Sequence, residues 1–289
     1  MTSSHTPSIP RFDDFVEART REAQGTLLDP LVTVEDLSAG LPLTTIGNRW
    51  TRQHYDGSFH LFEPPPNEPA LSLVFVQSRD GNTGADDPAR LGGGEIDKHL
   101  IYEGLSRVAA DAVLAGAATA RGAQVLFSVW HPEIVRLRLA LSLPRHPAQI
   151  VVSNTGRLDL DGTLLFNVPD VRVFVLAGRV CQSTCAEGLS RRPWITIVPL
   201  DEDGLGAALA RLRGEHGIRR ISVVGGRTVA SSLIDAGLAQ DLCLTTAAGP
   251  GGDPGTPFYV GRRSPNLRAI VRKRSGGKAP ILFEHLAFL

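Results

Sequence analysis

Arg220-Ile221-Ser222-Val223-Val224-Gly225-Gly226-Arg227-Thr228 is the stretch on which the fold turns. Arg220–Val224 has the apolar, β-branched character of a buried strand, and Arg227–Ala236 suits a helix. A strand that ends in paired glycines and opens directly into a helix lets a ligand come close to the backbone. The N–H groups and dipole of the helix then favour a phosphate at that point. Arg227 adds a positive charge and Thr228 a hydroxyl at the same end. The glycines also suit a plain tight turn, and the element alone leaves both roles open.

Working outward, apolar runs alternate with helical stretches. Strands are expected at Leu71–Gln77, Asp111–Ala115, Gln149–Ser153, Val171–Leu176 and Ile195–Val198, and again at Leu242–Ala247, Ala269–Lys273 and Ile281–Phe288. Helices are expected at Glu95–Ala110, at Pro132–Leu141 with proline in the first turn, and at Leu205–His216 before Gly217. Asn82–Gly94 reads as a loop. Alternation closed by consecutive strands predicts an α/β fold, a mostly parallel sheet with antiparallel strands at the C-terminal end. Before this lie a frayed leader over residues 1–10, a short helix at Arg11–Gln24, and strands near Leu41–Ile46 and Ser58–Phe62. The run Glu63-Pro64-Pro65-Pro66-Asn67-Glu68-Pro69 fits neither regular helix nor central strand. It divides the chain into an N-terminal appendage, residues 1–66, and a main domain, residues 67–289.

The composition narrows the function. Thirty Lys+Arg balance thirty Asp+Glu, which argues against an electrostatically driven nucleic-acid or membrane binder. Hydrophobic residues at 42% and charged residues at 21% describe an ordinary folded protein. No apolar run approaches the roughly 20 residues that span a bilayer, and the leader has no apolar core of a signal peptide. Cys181, Cys185 and Cys243 are too few for a disulfide framework and suit the cytoplasm. The first two, four apart on a short helix or loop, have no histidine close by, so no metal is expected. Phosphate-loop, nucleophile-elbow and zinc-protease motifs are all missing.

Two further strand ends repeat the logic of Gly225-Gly226. Asp111–Ala115 runs into Gly116-Ala117-Ala118-Thr119-Ala120-Arg121, where small residues leave room for a nucleotide and Thr119 and Arg121 are placed to meet phosphate. Ser153-Asn154-Thr155-Gly156-Arg157 presents polar groups at a third end, or forms a simple turn.

Taken in order, Ser78-Arg79-Asp80-Gly81, Leu105 to Gly116 (LSRVAADAVLAG), Thr119-Ala120-Arg121, Ser153 to Asp159 (SNTGRLD) and Val224-Gly225-Gly226-Arg227-Thr228 with Leu233, Ala236-Gly237-Leu238 and Asp241-Leu242 resemble the motifs of one family. That family is the pyrimidine reductase domain of riboflavin biosynthesis, and the resemblance spans Leu71 to Phe288. It implies a dihydrofolate reductase-like sheet with helices on both faces, and hydride transfer from NADPH to a pyrimidine-linked ribose. It places cofactor contacts at Gly116, Thr119, Arg121, Ser153, Gly225, Gly226, Arg227 and Thr228, and substrate contacts at Ser78 and Asp80. Asp80 is its candidate catalytic group, and a homodimer is its implied assembly. The apolar C-terminal strand Ile281–Phe288 is expected to need cover on both faces, one of them from a second subunit.

Four positions depart from the pattern. Val74 stands where many pathway enzymes carry Lys, Gly122 and Ala123 where they carry acids, and Val224 where they carry Glu. The departures leave open a reductase of another heterocycle, a pterin or secondary-metabolite precursor, or a non-catalytic NADPH-binding protein.

Overall fold

Strand β4 (Ala70–Gln77) buries Leu71, Leu73, Val74 and Phe75, apolar on both faces, as a strand covered by helices on each side must be. The computed structural model describes residues 9–289 except 86, 201, 203 and 263, so the first eight residues of the expected leader lie outside it. Around β4 stand β1 (Leu31–Asp36), β5 (Ala112–Gly116), β6 (Ala148–Ser153), β7 (Val173–Ala177), β8 (Ile195–Pro199), β9 (Arg220–Val224), β10 (Asp241–Thr246), β11 (Leu267–Ser275) and β12 (Leu282–Phe288). They form one ten-stranded sheet in the order β1-β11-β12-β10-β4-β9-β5-β6-β7-β8. From β10 to β8 every neighbour pairs in parallel, while β12 and β1 run antiparallel to their neighbours. The α/β class and the antiparallel C-terminal strands are as expected from the sequence.

Helices cover both faces. One core holds residues of α3 (Ile96–Leu105 with Ser106–Val108), α4 (Pro132–Ala140) and α5 (Arg179–Ser190), and the other those of α6 (Gly204–His216) and α7 (Arg227–Asp235). Here α3 is a π-helical stretch, Ile96–Leu105, that tightens into one α-turn at Ser106–Val108. Its end is held by a buried arginine: Arg138 Nη1 donates to the carbonyls of Arg107 (3.0 Å) and Ala110 (2.6 Å), and Nε to that of Pro144 (2.6 Å). These bonds satisfy carbonyls that a helix terminus leaves open. The two cysteines of uncertain setting lie on α5, a helix of twelve residues, and are buried.

The N-terminal residues are built into this body and do not stand apart from it. β1 pairs with β11 as the sheet edge, and Tyr55 and Phe59 are buried in the same core as β4, with Tyr55 also against Phe283 at 5.8 Å. Helix α1 (Phe12–Gly25) sets Phe15 edge-on to Trp130 at 5.5 Å, and Arg19 pairs with Glu103 at 2.5 Å. A short hairpin, β2 (Leu43–Ile46) with β3 (Phe59–Phe62), and helix α2 (Arg49–His54) complete the segment. The sequence reading missed β1 because its alternation is inverted. Val32 and Val34 are each 60% exposed, while Thr33 turns inward, its hydroxyl 2.7 Å from the buried Lys273 ammonium.

β12 also differs from expectation. It lies inside the sheet between β11 and β10, with Phe283 in one core and Leu286 in the other. Both faces are covered within one chain, which removes the argument from this strand for a second subunit.

Candidate active site

Seven adjacent parallel strands bring their carboxyl ends to one edge of the sheet, where ligands of open α/β folds bind. Gly225 (φ 70°) and Gly226 (φ 82°) leave β9 in left-handed conformations open to glycine and costly for a branched residue. Gly226 caps the N-terminus of α7 with no side chain hydrogen-bonded there, which leaves the first-turn N–H groups uncapped. A Cβ on Gly225 would lie 3.3 Å from the Thr119 side chain, and one on Gly226 would lie 3.9 Å from the Gly116 amide. The Gly225-Gly226 turn and the loop after β5 therefore abut. That loop is tied down: the Gly116 carbonyl accepts from Thr119 N (2.9 Å) and Ala120 N (3.1 Å), and Ala117 N donates to Val152 O (3.0 Å).

One strand further, β6 ends at Ser153, which is buried, its hydroxyl accepting from Gly156 N at 3.1 Å. Ser153 is thus engaged in shaping its own loop. Its carbonyl accepts from Gly178 N (3.0 Å), and Gly178 begins α5, again without a side-chain cap. Two uncapped helix starts flank the ends of β5 and β6. Arg121, Arg157 and Thr228 are exposed, Arg227 is half-buried, and none of the three arginines is in an ion pair among the described residues.

On the other side of β9 lie the ends of β4 and β10. Ser78 is buried and committed to its turn: its amide donates to Asn82 O (2.9 Å), and its hydroxyl accepts from Asn82 N (3.3 Å). Gly81 (φ 80°) closes the turn onto Ser78 O, leaving Asp80 exposed at its tip.

The acid at the heart of this side is one the sequence reading passed over. Asp97, on the first turn of α3, is 8% exposed and lies against the end of β4: a Cβ on Gly93 would fall 2.8 Å from both Asp97 Cβ and the Val76 side chain. Across the sheet Val76 pairs with Thr245 of β10. Burial pushes the Asp97 carboxyl up to about 6, and the nearby Thr245 hydroxyl pulls it back by less. Asp97 Oδ1 and Thr245 Oγ1 are both buried without a hydrogen-bond partner. The available signal was slight: Asp97 stands beside Lys98 and His99, between Ile96 and Leu100-Ile101, in a stretch that reads as a helix.

Two of the departures prove to be one feature. Val74 and Val224 are direct partners in the parallel β4–β9 register, 2% and 0% exposed, in the same core. The two departures therefore form one apolar pair packed side by side across the parallel strands. Gly122 (φ 122°) is exposed and Ala123 half-buried in the loop beyond Arg121.

Toward the opposite edge, Asp241, Cys243 and His285 bring their polar atoms within 4.8 Å of one another. Ser72 Oγ donates to Asp241 Oδ1 and His285 Nε2 meets Asp241 Oδ2, each at 2.5 Å, so both carboxylate oxygens are engaged. No described helix is long and apolar enough to cross a membrane.

Comparison with known proteins agrees with this architecture. The family model described as the RibD C-terminal domain matches residues 69–272. No curated protein matches the chain. A pyrimidine reductase-like protein from Corynebacterium diphtheriae is 20% identical, with a TM-score of 0.59 over 77% of this chain and 93% of that one. RibD from Acinetobacter baumannii is 15% identical, with a TM-score of 0.61 over 78% of this chain and 59% of the longer relative. The riboflavin biosynthesis reductase Rib7 of Saccharomyces cerevisiae is 18% identical, with a TM-score of 0.50 over 77% and 92%. These likenesses are of fold.

Proposed function

The chain belongs to the RibD C-terminal domain family, and from that premise we propose that it is an NADPH-dependent reductase of a pyrimidine-type heterocycle. The observation that carries the proposal is the cradle of Gly225, Gly226, Gly116 and Thr119 at the uncapped start of α7. Its residues fit a dinucleotide. The α7 amides receive a phosphate, and the positive φ of both glycines keeps side chains out of its way. Arg121, Arg157 and Arg227 supply guanidinium groups for a 2′-phosphate, which favours NADPH over NADH. When bound, NADPH supplies the hydride. Asp97 is the group that supplies the proton, since burial raises its carboxyl to about 6 beside the ends of β4 and β10. Asp80, on an exposed turn, is left as a contact at the mouth of the site.

For the substrate, family membership supports 5-amino-6-(5-phosphoribosylamino)uracil as the first reading. A second reading, a heterocycle without the phosphoribosyl chain such as a pterin, is favoured by the Val74–Val224 pair, which removes two polar groups from the floor of β4 and β9. Loss of NADPH absorbance in the presence of each compound tests both. Turnover of neither, with NADPH bound, contradicts the enzyme and leaves a cofactor-binding protein.

A further inference from the structure

The polar cluster toward the opposite edge of the sheet is buried throughout, and His285 is 0% exposed. Asp241 and Cys243 stand two residues apart on β10 and so share one face of the sheet, and the β10–β12 register sets Cys243 opposite His285. A carboxylate oxygen, a free thiol and an imidazole nitrogen, within 4.8 Å of one another, are the donor types that zinc accepts. No ligand spacing announces the set, because 42 positions separate Cys243 from His285 (285 − 243). Two further features point to an occupant. His285 Nδ1 is buried without a hydrogen-bond partner, and Nε2 meets Asp241 Oδ2 at 2.5 Å. Beside the cluster lies a cavity of about 30 Å³, lined in part by His60, Ser72, Asp241 and Cys243, which is room for a water. His60 Nδ1 is also buried and unpartnered, and a metal-bound water supplies the donor it lacks.

The supporting shell is in place. Ser72 Oγ donates to Asp241 Oδ1 at 2.5 Å and holds the carboxylate with Oδ2 toward His285. We propose that Asp241 Oδ2, Cys243 Sγ and His285 Nε2 bind a zinc ion, its fourth position taken by a water in the adjoining cavity. Coordination at about 2.0 Å to oxygen and to nitrogen sets those two atoms roughly 3.3 Å apart, so they part by about 0.8 Å. From the ion-paired form, Zn²⁺ displaces the proton between Nε2 and Oδ2 and the proton of the thiol, two charges for two. The buried site stays neutral, since carboxylate and thiolate offset the metal. The ion ties β12 to β10 and leaves the Gly225-Gly226 turn untouched. His60 and His285 both lie outside residues 69–272, so the site is completed by segments beyond the family match.

The test uses the full chain, stripped with a chelator, incubated with Zn²⁺ and desalted, and the retained metal is counted by mass spectrometry. One zinc per chain is expected, with a higher melting temperature than the stripped protein has, and Mg²⁺ is expected to give neither. Co²⁺ in its place is expected to show a thiolate-to-metal charge-transfer band in the near ultraviolet and the strong visible bands of a tetrahedral site. Cys243→Ala is expected to lose both the zinc and the charge-transfer band, while Cys181→Ala, at a thiol on α5, keeps them. Should Cys243→Ala fail to fold, the zinc count and cobalt spectrum of the wild type decide the matter. No zinc retained after desalting, a cobalt spectrum without the sulfur band, or zinc held equally by Cys243→Ala, which would make it adventitious, would each overturn the proposal.

Discussion

Replacing Asp97 with Asn separates the stability of the site from its chemistry. The carboxyl titrates at 3.8 when unperturbed and at about 6 in the folded chain, because burial disfavours its charge. A raised folded value means that the native state holds the proton more tightly than the unfolded chain. The contribution is therefore complete below the unfolded value and is lost as pH rises through about 6. A shift of roughly two units, at about 1.4 kcal/mol each, amounts to about 3 kcal/mol lost by pH ~8. Asn carries no charge at any pH, so Asp97→Asn is expected to be more stable than the wild type by up to about 3 kcal/mol at pH ~8 and nearly equal at pH ~4. Urea unfolding at the two values measures the difference. The same variant is expected to lose turnover by a factor of about 10² or more while keeping NADPH affinity. A stability difference that does not change with pH would refute the burial argument.

Further expectations follow from other parts of the edge. Gly226→Val, at a φ of 82°, is expected to weaken NADPH by at least about tenfold while the circular dichroism of the fold persists; unchanged affinity would remove the cradle. In the wild type, kcat/KM is expected to fall as pH rises above about 6, following the protonated Asp97, and a flat profile to pH ~8 would assign the proton elsewhere. Val74→Lys alone buries an unpaired charge and is expected to cost about 3 kcal/mol or more, while the pair Val74→Lys/Val224→Glu recovers at least about 1 kcal/mol of it in a double-mutant cycle. Arg138→Met, which strands the carbonyls of Ala110 and Pro144, is expected to lower stability by about 3 kcal/mol in the same unfolding assay.

What the sequence made legible was the parallel half of the sheet, because a strand buried on both faces needs an unbroken apolar run. Leu71–Gln77 and Val171–Leu176 announce themselves that way, and Gly225-Gly226 marks its turn through a backbone requirement. β1 was hidden because Val32 and Val34 face outward at a sheet edge, so its local pattern contradicts its place. Asp97 was passed over because, between Glu95 and Lys98, it has the signature of a charge on a solvated helix face. Its burial depends on Gly93, Val76 and Thr245, the last 148 positions away in the chain (245 − 97). Val74 and Val224 were visible as separate exchanges; only the β4–β9 register makes them a pair. Ser153 was visible as a polar strand end; that its hydroxyl accepts from Gly156 N was not, because the bond depends on how the loop folds.

The central claim is that the carboxyl edge holds a dinucleotide, and a crystal structure of the chain grown with NADPH tests it most directly. The account predicts a cofactor phosphate on the α7 amides beside Gly225 and Gly226, the chain running past Gly116 and Thr119, and the nicotinamide on the side of β9 where Asp97 lies. NADPH bound elsewhere on the protein, or lying along this edge with its phosphates turned away from α7, would contradict it.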